Sequence, residues 1–410
     1  MRYSDNNRRV VVTGLGVVSS IGIGWEEFWK NLIAGKSGIS KITAFDTNQH
    51  DCHYAGEVKN FNPEEFINRK RIKIIGHASQ LAIAASKLAL RDGKLPDKDL
   101  DNYRIGIVLG TTMGESRVIE NIIENNVRLN EMDVQAMLAL TYPANALSIN
   151  TANELKLSGD NLVFSNACSA GNYAVSRAFD LIRLGRVDYM LAGGTDALSR
   201  VAFIGFGRLF AMAPEKCQPF DKNRQGMMTG EGSAIVLLEP LETALKRGAK
   251  IYAEILGYGL SCNVQDLTAP SVEGIIKAIQ HALLRSNIKE NEVDYINAHG
   301  TGTLENDEAE CRAIKMIFGK RSSQIPVSSI KSMLGHTMGA ASAFETIACC
   351  LAIDKDQIPP TINFEEKDPH CNIDCVPNKG RSHQVNIALN NSQAFGGNNA
   401  CLVFKKFTNV

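Results

Sequence analysis

The chain has 410 residues, 44% of them hydrophobic and 21% charged, with Lys plus Arg and Asp plus Glu numbering 44 each. That length exceeds one ordinary core and suits two packed units, and the composition excludes global disorder. Balanced charge gives no reason to expect nucleic acid or an anionic membrane as a partner, so an electrostatic partner would have to be met by a local patch.

The N-terminal run Met1-Arg2-Tyr3-Ser4-Asp5-Asn6-Asn7-Arg8-Arg9 is followed by no apolar signal core, and no stretch approaches the roughly 20 apolar residues of a membrane helix. The 10 cysteines therefore read as free thiols and the expected compartment is the cytoplasm.

In chain order, Val10-Val11-Val12-Thr13-Gly14-Leu15-Gly16 reads as a first buried strand. Gly14-x-Gly16 is not a dinucleotide fingerprint, because Ser19 stands where the third glycine belongs and no acidic residue follows about 20 positions on in a second strand. Helices are predicted over 25–34, 74–90 and 115–131, with a strand over 104–109 closed by Gly110. His50, Cys52 and His53 cluster, as do Cys371 and Cys375, but neither group has a second pair at zinc-finger spacing.

A strand over 161–167, a helix over 170–184 stopped by Gly185, and a strand over 188–192 follow. The remainder predicts strands over 233–238, 251–256, 293–297, 327–329, 385–390 and 400–404, and helices over 274–286, 308–318 and 340–353. This alternation argues for a mixed, layered α/β fold. Two halves are expected, 1–254 and 255–410, with a faint echo between Phe164–Gly171 and Ala388–Gly397.

Three residues carry the chemistry. Cys168 lies between a strand and a helix among Ala167, Ser169, Ala170 and Gly171. A helix N-terminus favours thiolate, and small neighbours let backbone amides approach a substrate oxygen. Taken alone, a buried cysteine acting as a small apolar residue explains it better. His299 sits in Asn297-Ala298-His299-Gly300-Thr301-Gly302-Thr303, and His336 in Lys331-Ser332-Met333-Leu334-Gly335-His336-Thr337. All three occupy Gly-rich turns after strands, where α/β folds place active sites. One thiol can carry an acyl group while two imidazoles hold the oxygen of an enolate. A zinc site on the same three residues is the rival reading.

At these residues the chain resembles the β-ketoacyl-[acyl carrier protein] synthases, in the synthase I/II branch that includes type II polyketide ketosynthases. The resemblance runs from Val11-Val12-Thr13-Gly14-Leu15-Gly16 to Phe395-Gly396-Gly397-Asn398-Asn399, and includes Pro219-Phe220-Asp221-x-x-Arg224-x-Gly226 and Gly230-Glu231-Gly232. It implies a thiolase-like layered fold of two pseudo-duplicated halves, with helices between and outside mixed sheets. It implies decarboxylative condensation of a Cys168-bound acyl group with malonyl carrier protein, without a redox cofactor or metal. His299 and His336 would stabilise the enolate, and Lys331 would support them through Asp307 and Glu310. Phe395 would gate the site, Thr301, Thr303 and Thr268 would meet the phosphopantetheine arm, and Met113 would line the far end of the acyl pocket.

The chain departs from the family in the gating segment, which usually reads Asn-Ser-Phe-Gly-Phe-Gly-Gly: Gln393 and Ala394 replace the first Phe and the Gly. Gln225 stands in a usual Arg-Asp-Gly, and Glu115 lies close to the acyl pocket, where a carboxylate is costly unless paired. These changes point to a specialised lipid or polyketide pathway. Because carrier proteins are acidic, Arg69, Lys70, Arg71, Lys73 and Arg208 are expected to form their docking patch. A homodimer is expected, with a heterodimer with a related subunit as the alternative. A non-catalytic chain-length-factor role is disfavoured by Cys168, and a coenzyme A thiolase by the lack of a second C-terminal cysteine where His336 and Phe395-Gly396-Gly397 stand.

Overall fold

The computed structural model describes residues 8–95, 100, 102–129, 141–263 and 266–408. Its main strands are β1 (Val10–Ser19), β2 (Ile105–Gly110), β3 (Asn161–Phe164), β4 (Tyr189–Asp196), β5 (Gly232–Pro240), β6 (Ala253–Cys262), β7 (Tyr295–Asn297), β8 (Val327–Ser328), β9 (Ile387–Gln393) and β10 (Asn398–Lys405). The principal helices are α1 (Trp25–Ile33), α2 (His77–Asp92), α3 (Ser116–Leu129), α4 (Ala146–Leu155), α5 (Ala170–Arg183), α6 (Arg200–Arg208), α7 (Val272–Ser286), α8 (Leu304–Phe318) and α9 (Ala341–Lys355).

The strands join in the order β8-β7-β9-β10-β6-β1-β5-β4-β2-β3. Each side of the β6/β1 junction repeats one topology. Reading from the junction outward, each half places its first, fifth, fourth, second and third strands. The two outer pairings are parallel (β2 with β3 and β4, β7 with β8 and β9). The inner ones are antiparallel (β4–β5 and β5–β1, β9–β10 and β10–β6). The predicted division at 254/255 falls inside β6, the first strand of the second set.

Helices α5 and α9 touch each other and strands of both halves, while α2 covers β1 and β5, and α7 covers β6 and β10. The central position of α9 explains its mainly apolar sequence: every residue from Ala341 to Ile353 is buried. Gly14 and Gly16 serve the packing of α2 on β1. A Cβ on either would lie 2.2 Å from the Ala89 carbonyl oxygen or 1.8 Å from that of Ala85.

Several boundaries differ from expectation for physical reasons. The helix predicted from residue 74 begins at His77, after a separate short turn over Arg69–Ile72. Glu115 is the reason: its buried carboxylate accepts from the backbone N–H groups of Ala78 (3.3 Å) and Ser79 (2.7 Å), capping α2. The costly carboxylate is thus paired. The strand predicted to reach residue 167 ends at Phe164, because Ala167 already adopts φ 52°. Of the helix predicted over 115–131, residues 130 and 131 lie outside the described residues.

The internal echo is also corrected. Phe164–Gly171 follows the third strand of the first half, whereas Ala388–Gly397 spans the fourth strand of the second. The topological counterpart of the Cys168 turn is the His336 segment, between β8 and α9. Each turn holds a left-handed non-glycine residue (Ala167, φ 52°; Met338, φ 53°), one 3-10 turn, and then a central helix.

Candidate active site

The two equivalent turns bring their chemistry together. The sulfur of Cys168 and one nitrogen each of His299 and His336 lie within 4.8 Å of one another, all buried. The two rings meet edge to face, with centroids 5.4 Å apart. A non-glycine residue at positive φ immediately before Cys168 is a strained conformation of the kind found at functional sites. The Cys168 carbonyl oxygen accepts hydroxyl bonds from Ser342 of α9 and Ser392 of β9, each at 3.3 Å. The second half of the fold therefore fixes the backbone of a residue in the first.

Burial pushes the Cys168 thiol up to about 12, against the pull of the Lys331 charge. The resting group is a thiol. The helix-terminus effect expected from the sequence acts in the opposite direction and does not prevail over desolvation. Both imidazoles are held well below their ordinary value, first by burial and then by Lys331. They are neutral, with one proton each.

The partners decide where that proton sits. His336 Nδ1 accepts from the Met338 backbone N–H at 3.1 Å. His299 Nδ1 faces Lys331 Nζ at 3.3 Å. Lys331 has three ammonium hydrogens and three partners: His299 Nδ1, the His299 carbonyl oxygen at 2.6 Å, and Glu345. An ammonium only donates, so both rings carry their proton on Nε2. The site presents two Nε2–H donors beside one thiol. The same tautomers oppose the zinc reading, because a metal on Nε2 needs the proton on Nδ1, where both rings already face donors.

The expected link from Lys331 to Asp307 and Glu310 is replaced by its pair with Glu345. Burial lifts the Glu345 carboxyl to about 7, opposed by Lys331. Glu310 works on the backbone: it accepts from the N–H groups of His299 (2.9 Å) and Gly300 (2.8 Å) and from Asn391 (2.7 Å). Asp307 accepts from the backbone N–H groups of Phe220 (2.8 Å) and Gly302 (3.2 Å), holding the Thr301–Thr303 turn. Arg224 braces that turn through the carbonyl oxygens of Thr303 and Leu304.

A cavity of about 480 Å³ holds Cys168, His299, His336, Thr301, Thr303, Thr268 and Phe395 on its wall. Phe395 is 38% exposed and rests against Phe206. Met113 is absent from this wall. It lines a second, mainly apolar cavity of about 690 Å³ with Ile119, Ile123, Val127 and Ser165. Arg208 is exposed at the end of α6, next to Leu209 and Phe210 on the rim of the first cavity. Arg69, Lys70, Arg71 and Lys73 are not on that rim; Arg69 pairs with Glu64 and Arg71 with Glu154 of α4.

Two site residues escaped the sequence reading. Glu345 could have been suspected as the one charged residue within the Ala341–Ile353 stretch of its helix. Asp196, lifted to about 6 by burial, accepts from Thr111 Oγ1 and from the backbone N–H groups of Thr112, Met113 and Gly339. It ties the loop after β2 to the His336 turn. An acid closing an apolar strand was its only signal.

Comparisons with known proteins agree with this geometry. Residues 7–244 match the family "Beta-ketoacyl synthase, N-terminal domain", and residues 252–365 match "Beta-ketoacyl synthase, C-terminal domain". The chain is 40% identical to a 3-oxoacyl-[acyl-carrier-protein] synthase 2 of Synechocystis sp., covering 98% of both chains. It is 45% identical to a chain of the ishigamide ketosynthase/chain length factor structure, with TM-score 0.95, covering 98% of this chain and 100% of that one. It is 32% identical, with TM-score 0.89 and coverage of 98% and 100%, to a chain of AntDE:AntF, a type II polyketide acyl carrier protein in complex with its ketosynthase. The chain belongs to the β-ketoacyl synthase family: it is an acyl-transferring condensing enzyme of thiolase-like fold that carries out acyl carrier protein-dependent Claisen condensation in fatty acid or polyketide synthesis.

Proposed function

We propose that Cys168 carries the acyl group and that the Nε2–H groups of His299 and His336 together bind the malonyl thioester oxygen as it becomes an enolate. In the first half-reaction the Cys168 sulfur attacks the acyl thioester carbon. The thiol proton ends on the departing carrier thiol, so no net proton is consumed. In the second, the malonyl carboxylate leaves as CO2, and its bonding electrons form the enolate. The enolate carbon attacks the Cys168 thioester, and the released thiolate takes one proton from solvent. The observation that carries this reading is the pair of imidazoles that each place one nitrogen within 4.8 Å of the Cys168 sulfur while their Nδ1 atoms face Lys331 Nζ and the Met338 N–H, which leaves the proton on Nε2 as a charge-stabilising donor. The steps need no redox cofactor or metal.

Thr301, Thr303 and Thr268 would border the phosphopantetheine arm, and Phe395 would gate it. The acyl tail would run past Ser165, three residues before Cys168, into the Met113 cavity. Ile123, Val127, Tyr142 and Val201 are exposed around that cavity. β3 is an edge strand nearby, which suits coverage by a second subunit. A homodimer is the first expectation. The ishigamide ketosynthase/chain length factor neighbour favours, as a second reading, a heterodimer with a related subunit and a specialised polyketide or lipid pathway. No described helix is long and apolar enough to cross a membrane, and we place the enzyme in the cytoplasm.

The test is CO2 release from malonyl carrier protein by the parent enzyme and by His299→Ala. The donor-pair reading expects release to fall about 100-fold or more in the variant; release at the parent rate would refute it.

A further inference from the structure

Gln393 ends β9 on the wall of the cavity that holds Cys168, His299 and His336. Its side chain is enclosed, 2% exposed. The amide nitrogen has one partner, Glu310 Oε1 at 3.4 Å. Glu310 accepts there, so the nitrogen faces it and the amide oxygen is directed elsewhere. That oxygen has no hydrogen-bond partner among the described residues. An orphaned buried carbonyl is uncommon and costly.

The tether to Glu310 is also weak. The carboxylate takes closer donors from Asn391 (2.7 Å), Gly300 (2.8 Å) and His299 (2.9 Å). The carboxamide is therefore neither satisfied nor firmly held, and a swing away from Glu310 loses little. An apolar side chain would fill the same wall without an orphan. A plain alkyl chain leaves this already buried oxygen without a partner, whereas a substrate N–H or O–H within reach of the swung carboxamide supplies the missing bond.

We infer that Gln393 is a specificity-determining residue whose carboxamide oxygen accepts a hydrogen bond from a donor on the bound thioester, close to the reacting carbons. This rests on Cys168 being the acyl carrier. Two parts of a carrier-bound thioester offer such a donor: a hydroxyl near the thioester end of the acyl chain, and an amide N–H of the pantetheine arm.

The experiment measures the rate of Cys168 acylation, by quenched intact-protein mass spectrometry, with hexanoyl and 3-hydroxyhexanoyl carrier protein. The parent is compared with Gln393→Leu and Gln393→Met, the second keeping length and flexibility if the first fails to fold. A hydroxyl donor predicts a parent preference of about tenfold for the hydroxyacyl carrier, lost in both variants. An amide donor predicts equal parent rates, a slowing of about tenfold on both carriers in the variants, and no slowing on ethyl thioesters that lack the amide. Variant rates within about twofold of the parent on both carriers would overturn the inference. A parent that forms no Cys168 adduct would instead overturn the catalytic reading beneath it.

Discussion

The backbone N–H of Met338 donates to Nδ1 of His336 at 3.1 Å, and this one bond fixes the ring's proton on Nε2. Met338 holds φ 53°, so the bond depends on a left-handed residue two positions beyond the histidine. Local backbone geometry thus chooses the tautomer that the chemistry uses. His336→Ala removes one of two oxyanion donors and leaves the nucleophile in place. Condensation is expected to fall about 100- to 1,000-fold in kcat, while Cys168 still becomes acylated. Parallel assays of 3-oxoacyl product and of the protein adduct check this; equal loss of both would assign His336 to the acylation step.

Lys331 and Glu345 form a buried pair, 2% and 1% exposed at their side chains. Lys331→Met leaves Glu345 without its counter-charge and should destabilise the fold by about 3–5 kcal/mol. Adding Glu345→Met should recover much of that loss, because apolar groups then replace both charges. Denaturant unfolding of the parent and the two variants checks it, with the prediction lost if the single variant is as stable as the parent.

Glu345 also gives stability a pH slope. Its ordinary value is 4.5 and its folded value about 7. Between the two, the folded enzyme keeps a proton that the unfolded chain has released. This group's contribution therefore favours folding at low pH, declines as pH rises through that window, and is level above it. Glu345→Gln removes the decline. Unfolding of both proteins at about pH 5 and about pH 8 should show the parent losing ground relative to the variant at the higher pH; a constant difference would contradict it.

Carrier recognition is best tested at Lys70 and Lys73. Both are exposed, and neither has an ion pair among the described residues, whereas Arg69 and Arg71 are committed to Glu64 and Glu154. The double change Lys70→Glu/Lys73→Glu should raise KM for carrier-bound substrates several-fold and leave kcat near the parent value. The difference should shrink as salt is added. An unchanged KM at low salt would remove this segment from the docking surface.

The elements were largely legible because each depends on local pattern. The β-branched run of β1, the Gly-rich turns at Cys168, His299 and His336, and the apolar stretch of α9 all announce themselves within a few residues. What escaped the sequence is pairing at long range. Nothing near Lys331 says that its partner is Glu345 rather than Asp307 or Glu310. Nothing near Glu115 says that it caps a helix 36 residues earlier. The internal echo misled for the same reason: similarity in composition linked the Cys168 turn to the segment ending at Phe395, whereas strand order links it to the His336 turn. The thiol also differs from the local rule, since burial among distant segments outweighs the helix terminus beneath it.

Intact-protein mass spectrometry after incubation with a panel of acyl carrier protein thioesters tests the role of Cys168 most directly. The expected result is one acyl adduct on the parent enzyme and none on Cys168→Ala. An adduct of the same mass on Cys168→Ala would contradict it, since the acyl group would then reside on another residue.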